Sequence, residues 1–183
     1  MVRCTFSPAR AWRPAAGGPL ARTLGLANTT PMQLIAIEEA GATTSPVPAA
    51  GGVIDQVLEA TVSLYSRRGY MLPWIGYLAL EGSEFVGTCG FAGPPNTGEV
   101  EIAYFTFPGN EGRGVATQMA RELLQFNRHA ATQAGIRFIA HTLPEEGPSA
   151  SVLRKLGFRL EGEVSHPEDG KVWKWSEHAP SEA

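Results

Sequence analysis

The residues best placed to do chemistry lie in one short stretch. Two carboxylates, Glu99 and Glu101, are followed by three glycines, Gly109, Gly112 and Gly114. Val100 to Phe107 is rich in β-branched and aromatic residues and is closed by Pro108 and Gly109, which reads as a strand running into a loop. From Val115 the period changes, and Val115, Met119, Leu123, Phe126, Ala130 and Ala134 follow helical spacing. Gly112 and Gly114 remove side chains where that helix begins. The first backbone N–H groups of a helix have no partner inside it, and the macrodipole adds partial positive charge there. Phosphate oxygens suit such a place. An ordinary glycine-rich strand-to-helix connection has the same composition.

Two phosphate ligands can be weighed by residue type. A nucleoside triphosphate calls for G-x-x-x-x-G-K-[ST], with the lysine reaching the terminal phosphates. Gly109 and Gly114 have that spacing, but Val115 and Ala116 stand where Lys and Ser/Thr are needed, which excludes it. A dinucleotide calls for G-x-G-x-x-G/A and an acidic residue closing the next strand. Gly112-Arg113-Gly114-Val115-Ala116-Thr117 lacks the third small residue, and the next strand candidate ends at His141-Thr142. The match is poor.

Coenzyme A is the third choice, and here the residues resemble a known family. Gly109-Asn-Glu-Gly112-Arg-Gly114 matches both glycines of the pyrophosphate pattern [QR]-x-x-G-x-[GA] of the GNAT superfamily of N-acetyltransferases, with Gly109 departing from its Gln/Arg position. Glu99-Val-Glu101-Ile-Ala-Tyr104 resembles the family's central strand. Thr142-Leu-Pro-Glu145, with Ser149 through Leu156-Gly157-Phe158, resembles its second motif, and His166 to Trp175 its closing hairpin. The similarity runs from about Trp74 to Trp175 and is closest to the branch that includes the ribosomal-protein N-terminal acetyltransferases.

The resemblance implies an α/β GNAT fold: a mixed sheet splayed between its central strands, with helices on both faces. It implies acetyl-CoA as co-substrate, with no metal, and a primary amine on a small molecule or peptide as acceptor. Backbone groups of Phe105, Thr106 and Phe107 would hold the pantetheine arm. Glu111, Gly112, Arg113, Gly114, Val115, Ala116 and Thr117 would cradle the pyrophosphate, with Arg113 adding a charge-assisted contact. The attacking amine must be neutral, so a general base is needed within reach of it. Glu101 is the candidate, because strand alternation puts it on one face with Ala103, Phe105 and Phe107. Glu99 is the second choice. Leu153 stands where many members carry a tyrosine acid, which turns attention to Ser149; that serine would also serve as a helix N-cap. Glu146 and Gly147 replace the motif's asparagine. The four histidines are expected to form no ligand cluster, with only His141 near the presumed cleft.

Composition bounds the rest. At 183 residues, 43% hydrophobic and 18% charged, one globular domain is expected. No apolar run reaches the ~20 residues of a membrane span. A net charge of −3 advertises no nucleic-acid surface. Two cysteines are too few for a disulfide framework and fit a reducing cytoplasm. A monomer or homodimer is expected.

The supporting elements follow in order. Residues 1–31 hold Arg3, Arg10, Arg13 and Arg22 and no acidic residue, with Pro and Gly throughout, and read as a disordered extension before a domain spanning 32–177. Arg-rich leaders of this kind can also be transit peptides. A strand starts at Gln33, and Val53 to Arg68 has helical spacing. Trp74 to Leu80 and Glu84 to Phe91 form a hairpin around Glu81-Gly82-Ser83. After the long helix, Ile136 to Thr142 is a strand, Pro148 opens a helix stopped by Gly157, and a hairpin turns at Asp169-Gly170. Residues 178–183 read as a frayed tail.

Overall fold

The computed structural model describes residues 32–47 and 52–178, so the extension over 1–31 and the last five residues of the tail lie outside the described residues. The elements are β1 (Met32–Ala36), α1 (Val53–Arg68), β2 (Gly76–Glu81), β3 (Glu84–Phe91), β4 (Glu99–Thr106), α2 (Val115–Ala134), β5 (Arg137–Thr142), α3 (Pro148–Lys155), β6 (Phe158–His166) and β7 (Gly170–Glu177). The strands form one seven-stranded sheet in the order β1-β2-β3-β4-β5-β7-β6. Every pairing is antiparallel except that of β4 with β5.

The β4–β5 exception follows from the connection. A strand, a 20-residue helix and a strand must cross over and return parallel, whereas the hairpins reverse. The parallel ladder is short: Glu99↔Arg137, Val100↔Phe138 and Glu101↔Ile139. Beyond Glu101, β4 keeps its pairing with β3 as far as Gly87↔Thr106, but its pairing with β5 has stopped. The sheet is therefore split from the level of Glu101 onward.

Helices cover both faces. An added Cβ on Gly76 would meet Thr61 and the Tyr65 hydroxyl of α1, while the next residue, Tyr77, stacks edge-on against Phe126 of α2. Tyr65 ties α1 to the sheet, donating its hydroxyl to Ile37 O at 2.9 Å and accepting from Gly76 N–H at 2.8 Å. Gly87 admits α2 closely, since a Cβ there would lie 2.7 Å from Met119 Sδ. Gly87 faces Thr106, so the even-numbered residues of β4 point to α2 and the odd-numbered ones, Glu101 included, to the α1 side.

Several sequence expectations shift slightly. The strand expected from Trp74 starts at Gly76, because Trp74 sits in a turn, its N–H bonded to Met71 O, with its ring against Phe91 and Phe138. Trp74 and Tyr77 are both buried. The apolar stripe of α2 also rotates after Leu123. Phe126 is 67% exposed, and Asn127 and Ala131 take the inward positions. The Asn127 side-chain N–H donates to Leu123 O at 2.8 Å, while its buried Oδ1 has no protein partner among the described residues.

Candidate active site

The glycine loop behaves as its composition predicts. Gly109, Gly112 and Gly114 all have positive φ, the region only glycine enters freely, and a Cβ at any of them would meet nothing within 4 Å. Gly114 is the N-cap of α2, with no side-chain cap and no acidic residue in the first turn. Two loop side chains are differently occupied from expectation. The Arg113 guanidinium donates to Asn110 Oδ1 and to Glu81 Oε2 at 2.9 Å, holding the loop against the β2–β3 turn. Glu111 Oε2 accepts from the Gly109 N–H at 2.7 Å, so a protein carboxylate lies on one of the loop's own amides.

Of the two β4 carboxylates, Glu99 is committed elsewhere. It pairs with Arg137 and, at 2.7 Å, with Lys174 Nζ, which also approaches Glu161 at 3.6 Å. Desolvation pushes the Glu99 carboxyl up, but the Lys174 and Arg137 hydrogen bonds outweigh it and hold the group below the usual carboxylate range. A carboxylate so held makes a poor proton acceptor, which removes Glu99 as second-choice base.

Glu101 occupies the last rung before the split. It lines a cavity of about 470 Å³ together with Glu99, Ile139, Arg68 and the loop Ala92 to Thr97. On the rim of this cavity Arg68, at the end of α1, pairs with Glu168 in the β6–β7 turn at 2.6 Å.

The histidine expectation is overturned. Glu101 Oε1 lies 3.1 Å from His141 Nδ1, and one donor atom each of Glu101, His141 and His166 falls within 4.8 Å of the others. His166 in turn places Nδ1 3.2 Å from Asp169 Oδ2. The sequence hid this cluster because strands distant along the chain supply its members. The clue was the closing hairpin, whose turn brings His166 back beside β5 by way of β7.

On the α2 side of the split, the Tyr104 hydroxyl reaches Ser149 O at 3.5 Å in the first turn of α3. Tyr104 was not singled out from the sequence, although its even position on β4 fixes this direction. Ser149 is not the N-cap residue of its helix; that position is Gly147, with Pro148 following. Leu153 is fully buried, and Glu146 is spent on Arg154 at the surface.

Among the described residues the sheet is divided at its one parallel pair and faced by a helix without a side-chain cap, an open mixed α/β architecture. The comparisons agree. A family model described as "Acetyltransferase (GNAT) domain" matches residues 38–159, and the chain belongs to that family of acyl-CoA-dependent acetyltransferases. No curated protein matches the chain. Among solved structures, the acetyltransferase from Salmonella typhimurium that modifies the N-terminal serine of ribosomal protein L7/L12 is 19% identical, covering 83% of this chain and 97% of that one with a TM-score of 0.57. A putative GNAT-family acetyltransferase from Bordetella pertussis is 21% identical, covering 69% and 78%, with a TM-score of 0.51. The microcin C7 self-immunity acetyltransferase, solved with acetyl-CoA and AMP, is 17% identical over 70% and 73%, with a TM-score of 0.53.

Proposed function

We propose that this domain transfers the acetyl group of acetyl-CoA to a primary amine, on a peptide N-terminus or a small molecule, by direct attack on the thioester. The observation that carries this reading is the end of the β4–β5 ladder at Glu101↔Ile139, which opens a slot with a carboxylate at its closed end. In that slot, backbone groups of Phe105, Thr106 and Phe107 hold the pantetheine arm, and the amides from Glu111 to Thr117 hold the pyrophosphate. Glu101 takes the proton of the incoming amine from the α1 side. Ser149, beside Tyr104 on the α2 side, supplies a hydrogen bond to the departing thiolate. Placing the two roles on opposite sides of the split suits a displacement, in which nucleophile and leaving group must not compete for one donor.

Within this reading the enzyme works in the cytoplasm without a metal and has no nucleic-acid partner. Among the described residues no helix is long and apolar enough to cross a membrane, and Cys89 is a free, buried thiol. A second reading rests on Leu153 and Glu146, which replace a tyrosine and an asparagine of the family pattern: a CoA-binding module without turnover. One experiment separates them. Acetyl-CoA is incubated with peptide N-termini, polyamines, amino acids and aminoglycosides, and released thiol is measured. Thiol release that depends on an amine supports the enzyme. A rise in melting temperature with CoA, none with NAD, and no thiol release on any acceptor would support the module instead.

A further inference from the structure

Acetylating an ammonium group removes two protons from one nitrogen. The first leaves before attack. The lone pair then forms the C–N bond, the C–S bond breaks, and the second proton leaves as the amide forms. One of the two ends on the CoA sulfur and the other in solvent. A single carboxylate that receives both protons must unload between these events, and the residues around Glu101 contain a group suited to receive from it.

His141 lies on β5 two residues beyond the last rung, so its imidazole faces Glu101 across the closed end of the split. Both side chains are largely buried, 13% and 18% exposed. The Nδ1–Oε1 separation is 3.1 Å, yet Nδ1 makes no aligned hydrogen bond to any described protein group. A buried ring nitrogen left this way is costly unless a further group completes it. The other charged groups facing His141 are already engaged. Lys174, its rung partner on β7, is held by Glu99 and Glu161. On β6, the His166 ring lies 5.4 Å away and tilted to it, with Nδ1 turned to Asp169 and receiving the Glu168 N–H at 3.3 Å. That leaves Glu101 as the charged group in reach of His141 Nδ1.

We propose that His141 is a second proton-handling residue, taking from Glu101 the proton that the amine delivers and so freeing the carboxylate for the next one. The inference rests on the amine-acetylation reading above. The Asp169–His166 pair packs beside the His141 ring. The same three donor types also occur in cation sites. The direct approach of Glu101 to His141 at hydrogen-bond length, in the slot an amine must reach, favours proton transfer.

The test uses the full chain with acetyl-CoA and whichever amine of the panel the wild type turns over best. His141→Gln is expected to lower kcat about 100-fold, to leave the KM for acetyl-CoA within about twofold, and to flatten the same pH limb as Glu101→Gln. The double variant is expected to be no slower than Glu101→Gln alone, as for groups acting as a unit. His141→Gly is expected to regain at least about tenfold of its lost rate in added imidazole, which a purely structural role would not allow. Melting temperature and CoA affinity check that each variant folds. A folded His141→Gln with wild-type kcat and pH profile overturns the inference alone. So does a loss that imidazole leaves untouched, or activity abolished by a chelator and restored by Zn²⁺, which would make the three residues ligands. A wild type silent toward every amine overturns the underlying reading and this inference with it.

Discussion

Glu101 and Ile139 form the last rung of the β4–β5 ladder, and the division of the sheet begins directly above them. Below that rung, Arg137 and Lys174 neutralise Glu99. At the rung itself, Glu101 has an imidazole 3.1 Å away and lines the same cavity as Glu99. Two carboxylates separated by two positions on one strand thus receive opposite assignments, one structural and one open to chemistry.

Replacing Glu101 by Gln is expected to lower kcat by about 100- to 1,000-fold at neutral pH, within the range for a lost general base. CoA affinity should not change, because the coenzyme's phosphates are expected at the far end of β4. Amine-dependent thiol release measured across pH checks this. The acid limb of the profile should flatten, and a variant that kept the wild-type limb would retire Glu101 as base.

Ser149→Ala is expected to slow turnover about tenfold with little change in acetyl-CoA KM. Tyr104→Phe, which loses only a long contact to Ser149 O, is expected to cost less. If the phenol proves the larger contributor in single-turnover measurements, the thiolate takes its hydrogen bond from Tyr104.

The loop makes a charge prediction. Gly114 has φ +84° and open space around an added Cβ, so Gly114→Ala carries a backbone cost of about 1 kcal/mol and no collision. Gly114→Glu adds a carboxylate where the pyrophosphate is expected, and CoA binding by calorimetry should vanish. Glu111→Gln should act in the other direction. It removes the negative charge now resting on Gly109 N–H, and CoA affinity should rise about two- to fivefold.

The Glu99 network predicts a pH-dependent stability. Its carboxyl titrates lower folded than unfolded, so its contribution is present above the unfolded value, about 4.3, and is lost as pH falls through the folded value. Glu99→Gln should therefore lower the melting temperature by a few degrees at pH 7, and the two proteins should converge below about pH 4. A gap that persists in acid would assign the loss to packing.

Much of the fold could be read in advance because the signals were local. Val53 to Arg68 and Val115 to Ala134 have helical spacing, and Gly135 closes α2 in the left-handed region as its position after the last periodic residue suggests. The glycine loop was legible for the same reason. What the sequence hid was lateral. That His141 and His166 converge on Glu101 depends on strand order, and β7 lying between β5 and β6 has no local signature. The competition for Glu99 was hidden likewise, since Arg137 and Lys174 reach it from two other strands. Phe126 was misplaced because helical periodicity alone does not show where a neighbouring helix or sheet ends.

The ion pair between Arg68 and Glu168 joins the end of the first helix to the last hairpin turn, two segments 100 residues apart, and both side chains remain about two-fifths exposed. Exposed pairs of this kind contribute little, roughly 0–1 kcal/mol. The end of α1, where Arg68 lines the cavity, is thus tied to the last hairpin turn only weakly. Parting these two side chains costs less than breaking a rung of the sheet, so this tie gives way before the strands do.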